Sequence, residues 1–318
     1  MSEAVEHGLD VEAVLDRLPL LAGIPASERM VTPLPGGLTN VNLRVRAPSS
    51  PRPDLDVVVR ISPASTALLA VDRHEEWVNT GRAAAAGVGA PVVDYLPGEG
   101  VLVVGFLPGR TYAAEDVGLN LPAVADAVRR LHSAEPFASR FDMFAVRERY
   151  LGIVTSRGFR LPEGYAGIAP AVDGLQSALA AHPQPLVPCH NDLLAANFLD
   201  HEGRVSIIDY EYSGNNEATF ELGNLWAESQ LEPEHLEELV GEYFLSPGAA
   251  DPVLLARAEL WAQMARHGWT LWGVIQAAVS DLDEDFWGWA MEKHEPAMGF
   301  FTSRRFEDLL DVVGGSGR

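Results

Sequence analysis

The hydrophobic pattern of this chain changes period near residue 106. Before that point, short apolar and β-branched runs alternate with turn residues, which is strand spacing. Strands are predicted at Met30 to Leu34, Val41 to Val45, Val57 to Ile61, Val92 to Tyr95 and Val101 to Phe106. Turns at Pro35-Gly36-Gly37 and Pro97-Gly98 separate pairs of them, and SSPRPD at 49–54 reads as a loop. An Ala- and Leu-rich stretch, residues 66–86, predicts one helix ended by Gly87 and Gly89. After Pro108-Gly109 helical spacing dominates, apart from strands around residues 189–209. The pattern implies an α+β, two-lobed chain. An N-terminal lobe, 1–106, combines an N-terminal helix, antiparallel strands and one further helix. A hinge at 106–110 leads to a mainly helical lobe, 107–318, with a flexible tail from 313.

Composition narrows the function. At 318 residues and 47% hydrophobic, the chain can bury a large core, and its formal charge is −22. Such acidity argues against nucleic acid and anionic membrane surfaces, which require basic patches. The one cysteine, Cys189, forms no internal disulfide, so a cytoplasmic setting is expected, with the thiol as a small buried group. The N-terminus, MSEAVEHGLDVEAVLDRL, is acidic, and no apolar run approaches the ~18 residues of a membrane span. Neither a signal peptide nor a membrane helix is expected.

The chemistry concentrates in CHNDLLAANFL and IDYEYSGNN, residues 189–216. His190, Asp192 and Asn197 follow H-x-D-x-x-x-x-N, and an apolar run from Val205 to Ile208 delivers Asp209. Phosphoryl transfer needs a carboxylate to take the hydroxyl proton, and an amide plus a carboxylate to hold Mg²⁺ on the phosphates. Asp192 is the candidate base, Asn197 and Asp209 the candidate Mg²⁺ ligands, and Glu211 a further ligand. His190 fits a bracing role better than proton transfer. PGGLTNVN, residues 35–42, reads either as a phosphate loop using Gly36, Gly37, Thr39 and Asn40 or as a plain glycine hairpin. Arg60 is either the cation on the nucleotide phosphates or an edge-strand surface charge. Glu76 or Glu75 would orient it. Asn191 stands where many protein kinases carry an arginine that reads an activation-loop phosphate. No room exists for a long activation segment between Asp209 and the helix near Ala218, so a small-molecule acceptor follows.

A third cluster lies at RHGWTLWGVIQAAVSDLDEDFWGWA, residues 266–290. Trp269, Trp272 and Gln276 fall within about 60° on a helical wheel, and Trp289 follows an acidic break. Tryptophan at helical spacing commonly packs a core. The alternative is a cage for a quaternary ammonium, each ring face offering about 0.5–2 kcal/mol. Glu228 could supply the nearby negative charge.

Assembled, these residues resemble the choline/ethanolamine kinase branch of the aminoglycoside phosphotransferase-like kinases, over about Leu34 to Trp289. GGLTNVNLRV is similar to the family's phosphate-loop segment, VVVR to its third strand, and DRHEEWVN to its R-x-x-E helix, which favours Glu76 over Glu75. VVGFLPGRT, containing Phe106, resembles the adenine hinge; HNDLLAANFL, IDYEYSG and FELGNLWAE are the most specific matches. The resemblance implies a protein-kinase-like bilobal fold, ATP and Mg²⁺ as cofactors, and an amine pocket of Glu228, Trp269, Trp272, Gln276 and Trp289. Glu221 stands where the family commonly has Asp, and Trp289 where it commonly has Tyr. The leading expectation is phosphorylation of choline to phosphocholine. Ethanolamine or another amino alcohol, then an aminoglycoside, are alternative acceptors; a pseudokinase that only binds a quaternary amine is the non-enzymatic one.

Overall fold

A computed structural model describes residues 10–35, 40–62, 68–69, 71–246 and 249–315. Helix α1 (Val11–Asp16) starts where the Asp10 carboxylate accepts the Ala13 N–H. Five antiparallel strands follow, β1 (Met30–Leu34), β2 (Val41–Arg46), β3 (Asp56–Ile61), β4 (Val92–Leu96) and β5 (Val101–Gly105), in the order β1-β2-β3-β5-β4. Alternation sends Val41, Leu43, Val45, Val57, Val59 and Ile61 to one face, under Leu15, Leu18 and Leu21. Arg60 points to the other face, opposite Asn42 on β2 and Leu102 on β5. Because β3 is central, Arg60 is buried and not an edge-strand surface charge.

Helix α2 (Arg73–Ala85) starts later than the residue pattern predicts. Asp72 stops it from extending backwards, since its carboxylate accepts the His74 and Glu75 N–H groups as an N-cap. Residues 66, 67 and 70 of the predicted helix lie outside the described residues. The end of α2 is packed on the second lobe: Ala83 and Val88 belong to its core, and the Asn79 amide donates to the Ser213 carbonyl. The hinge turns through Gly109, at φ +147°, where a Cβ would lie 2.5 Å from the Asp200 carbonyl oxygen.

The second lobe is helical around two small sheets. Its helices are α3 (Ala114–Leu119), α4 (Leu121–His132), α5 (Met143–Arg157), α6 (Ala169–Ala181), α7 (Ala218–Glu228), α8 (Pro233–Phe244), α9 (Pro252–Val279), α10 (Phe286–Phe301) and α11 (Arg304–Gly314). Strand β6 (Arg110–Thr111) pairs with β8 (Phe198–His201), which pairs with β9 (Arg204–Ile207); β7 (Leu186–Cys189) pairs with β10 (Gly214–Glu217). The two-lobed, kinase-like α+β architecture is therefore present. Helix α11 continues to Gly314 with Val313 fully buried, so the predicted tail starts at least two residues late: an apolar face held by Phe306, Leu309 and Val313 keeps the helix docked. No helix among the described residues is long and apolar enough to cross a membrane.

The buried helix α9 organises this lobe. It crosses α7 at Gly223, where a Cβ would meet the Ala258 carbonyl oxygen at 2.0 Å. Beside the crossing, fully buried Arg257 donates to both oxygens of Glu217 at 2.7 and 2.8 Å, and the Trp261 indole donates to the same carboxylate. Removing one partner of a buried pair costs about 3–5 kcal/mol, because the other charge is stranded. We predict that Glu217→Ala unfolds at markedly lower urea than the parent. A loss below ~1 kcal/mol would show that water, and not Glu217, neutralises Arg257.

Candidate active site

Strand β7 hands the chain into the loop His190–Asn197, and β10 runs back beside it, with Gly214 opposite Cys189. Two sharp turns aim the acids: Asn191 sits at φ +67° and Asp209 at φ +72°, both in the left-handed region that costs a non-glycine residue energy. The first turn is held from behind. The Glu221 carboxylate on α7 accepts the His190 N–H at 2.5 Å and the Asn191 N–H at 2.8 Å. The Asn191 amide donates to the carbonyls of Cys189, Tyr212 and Gly214 and accepts from Asn216. One asparagine thus ties the His190 loop to the segment carrying Asp209 and Glu211. That is a physical role for a position where sequence reasoning saw only the lack of an arginine.

His190 is fully buried, and its ring makes backbone bonds at both nitrogens. Nε2–H donates to the Ile208 carbonyl at 2.9 Å, and Nδ1 accepts the Asp192 N–H at 3.3 Å. That bonding sets the tautomer and locks the loop to the residue before Asp209. The Asn197 amide nitrogen donates to the Asp192 carbonyl, which puts its side chain alongside the base candidate. Cys189 is buried and burial pushes its thiol up, so it packs as a small apolar group.

Arg60 reaches this loop from the other lobe. Its Nη1 is 2.8 Å from Glu76 and 2.6 Å from Asp209, and its Nη2 donates to Glu211 at 2.7 Å. Arg73 bonds Glu76 and Glu211 as well, at 2.8 and 3.0 Å. Glu75 turns away to accept from Ser139, which decides the Glu75/Glu76 ambiguity geometrically. Asn40 donates to Glu211 and accepts from Ser62. Burial opposes charge on Arg60, but Asp209, Glu76 and Glu211 outweigh it and hold the guanidinium protonated. Burial would raise Glu211; Arg60 and Arg73 outweigh that and hold it below the usual carboxylate range. Gly36, Gly37 and Thr39 lie outside the described residues. The Phe106 ring lies under the Arg44 guanidinium, 3.5 Å from its centroid, and its N–H donates to Asp56.

A divalent ion would find suitable donors here. Asn197 and Asp209 are hard oxygen ligands of the type Mg²⁺ takes. Asp209 Oδ1 is buried and close to Arg60, yet no described N–H or O–H is aligned to hydrogen-bond it. It is an ion-paired oxygen that a metal ion would share with the guanidinium.

The predicted amine residues divide. Trp269 is core: its indole donates to Asn224 Oδ1, and its ring packs against Phe141 and Tyr212. Gln276 is buried on the same helix. Trp272 is buried against Phe286 and lies 5.0 Å from Trp289, centroid to centroid. Gly273 allows this contact, since a Cβ there would meet the Trp289 ring at 2.7 Å. Trp289 is part-exposed, and a cation already covers it. Lys293 Nζ stands 4.1 Å from its centroid and donates to both Glu228 oxygens, at 2.6 and 2.7 Å.

The sequence model of the choline/ethanolamine kinase family matches residues 31–238. The chain belongs to the choline/ethanolamine kinase family. A choline/ethanolamine kinase family protein from Mesorhizobium loti is 32% identical in sequence, with a TM-score of 0.80 and 99% of each chain covered. A probable ethanolamine kinase from Arabidopsis thaliana is 25% identical over 284 residues, 80% of this chain and 75% of that protein. Choline kinase LicA from Streptococcus pneumoniae shares the fold, with a TM-score of 0.72, 20% identity and coverage of 88% and 94%. An aminoglycoside phosphotransferase has the same fold more distantly, at a TM-score of 0.59 and 15% identity over 94% of this chain and 98% of its own.

Within this family member, sequence reasoning missed Arg73 and Lys293. Lys293 carried a signal that went unused: of the 23 Lys and Arg residues in the chain, it is the one lysine, and the other 22 are arginine. Asp192 is half-buried at the meeting of these groups. Burial first, then Glu228, Glu211 and Asp209, push its carboxyl well above the usual range, with Lys293 acting against them. A raised carboxyl destabilises the fold once it ionises; the penalty is absent below the unfolded value near ~4 and grows as pH rises through the folded one. We therefore predict that Asp192→Asn melts higher than the parent at pH 8 in metal-free buffer, and that the gain shrinks toward pH 4. A lower melting temperature at pH 8 would contradict this electrostatic account.

Proposed function

We propose that this family member transfers the γ-phosphoryl group of ATP to the hydroxyl of a small amino alcohol, with choline as the acceptor. One observation carries the reading: the base candidate Asp192, with Asn197 bonded to its carbonyl, lies within electrostatic reach of Asp209 and of Glu228, whose lysine partner covers the Trp289 ring. Asp192 accepts the hydroxyl proton as the oxygen attacks phosphorus, and His190 and Glu221 hold the loop that aims it. Asn197 and Asp209 would hold Mg²⁺, which supplies positive charge to the transferring phosphates. Arg60, oriented by Glu76, steadies the same phosphates; Glu211 is the carboxylate available to a second ion. Phe106, Asn40 and the loop of Gly36, Gly37 and Thr39 complete the ATP site. The amine subsite of Glu228 and Trp289, backed by Trp272, Trp269 and Gln276, fixes the ammonium so that the hydroxyl faces Asp192, and positioning supplies much of the rate. A cytoplasmic setting belongs to the same proposal.

Ethanolamine is the second reading, and a specific contact favours it. Lys293 presents a primary ammonium to Glu228 through two N–H bonds, which a trimethylammonium group cannot make. The acidic segment Asp281–Asp285 is exposed but mainly turns the chain, Asp285 capping α10, so a polycationic sugar has less support.

The deciding experiment is ADP release with Mg²⁺-ATP across choline, ethanolamine, its N-methylated forms and kanamycin. Rates rising with each methyl are expected; preference for ethanolamine moves the acceptor, and preference for kanamycin overturns the amine subsite. Asp192→Ala should lose about 10²–10⁴ of kcat while still binding nucleotide. Unaltered kcat would remove Asp192 as the base. Because the base must be ionised, kcat/KM should rise with pH along a limb above the ordinary aspartate value of ~4.

A further inference from the structure

We propose that Lys293 is a specificity-determining residue: a tethered ammonium seated in the amine subsite, so that a cationic acceptor enters only by displacing it. This rests on the amino-alcohol reading above. Lys293 makes the contacts an amine substrate would make. Its Nζ gives two bonds to Glu228, lies over the Trp289 face, and acts electrostatically on Asp192. The placement is built into α10, where Trp289 and Lys293 are four residues apart and so share a face. Glu228 ends α7, with its side chain 4% exposed, and Lys293 remains 11% exposed. The stem thus touches solvent, and displacement requires it to swing toward that side.

Residue choice supports the same view. The chain uses arginine at every other cationic position. Arginine would bring a wide planar fork that pairs durably with a carboxylate, whereas lysine brings a compact ammonium on a flexible stem. A compact, displaceable ammonium is what a substrate mimic requires. By mass action, a site held by its own lysine nine-tenths of the time binds its ligand about tenfold more weakly than the open site.

The test uses the full chain with Lys293→Met, which keeps most of the apolar stem, and Lys293→Arg, which keeps the charge. KM for the preferred amino alcohol should fall about tenfold in Lys293→Met with the KM for ATP unaltered. Lys293→Arg should keep KM at or above the parent value. An unaltered or raised amine KM in folded Lys293→Met overturns the proposal. Tetramethylammonium chloride, compared with sodium chloride at equal ionic strength, should raise the melting temperature of Lys293→Met and not of the parent, because a free cation then fills the place beside Glu228. If no amine is turned over by parent or variant yet that selective shift is seen, the lysine seat stands and the acceptor reading fails. Equal shifts in both proteins overturn the seat. A third measurement requires no variant: reductive methylation of the lone lysine in the parent, followed by peptide mapping, should accelerate when choline is saturating. Slower modification would mean that the amine binds over Lys293 and does not displace it.

Discussion

Five acids are crowded where the two lobes meet: Glu76, Asp192, Asp209, Glu211 and Glu228. Left alone, such carboxylates would repel one another and resist burial. The fold answers with cations drawn from separate elements, Arg60 from β3, Arg73 from α2 and Lys293 from α10. Each pair therefore does two things, neutralising an acid and fixing one element against another. Among the described residues Asp192 has no such partner in hydrogen-bonding contact, and it is the acid whose carboxyl is pushed upward most plainly. A group kept at higher energy than its neighbours is well suited to accept a proton, and functional sites commonly hold groups in this condition.

The same economy appears in the backbone. Asn191 and Asp209 occupy left-handed conformations, and both lie in loops closed by buried hydrogen bonds to the Glu221 carboxylate and from the His190 and Asn191 side chains. Glu221 shows how a departure from a family's usual Asp can be absorbed. The longer side chain still reaches two adjacent N–H groups, because α7 sets its distance from the loop. Rigidity is thus concentrated behind the acids, while Glu228 and the Trp289 face are covered by one long lysine side chain.

Much of this was legible from local signals. The strands of the first lobe follow from period-two burial, and H-x-D-x-x-x-x-N with Asp209 two residues past β9 marks the candidate catalytic segment by spacing alone. Where the structure departs from the sequence reading, a side-chain contact decided the outcome, local for α2 and nonlocal elsewhere. The start of α2 moved because Asp72 caps it, and the C-terminal tail was shortened because Val313 finds an apolar floor. Trp269 and Trp289 look alike in a sequence, yet Asn224 and Tyr212 enclose the first while the second keeps a face for an ammonium.

The kinase-like class, the identity of the acids and the family could be read from residue type at fixed short spacing. Which acid meets which cation depends on how the elements pack. Arg60, Glu211 and Asn40 are separated by as much as 171 positions, and Glu228 and Lys293 by 65. Ion pairing falls off with distance in space and takes no account of distance along the chain, so the pairing of the lone lysine with Glu228 became visible only when α7 and α10 were packed together.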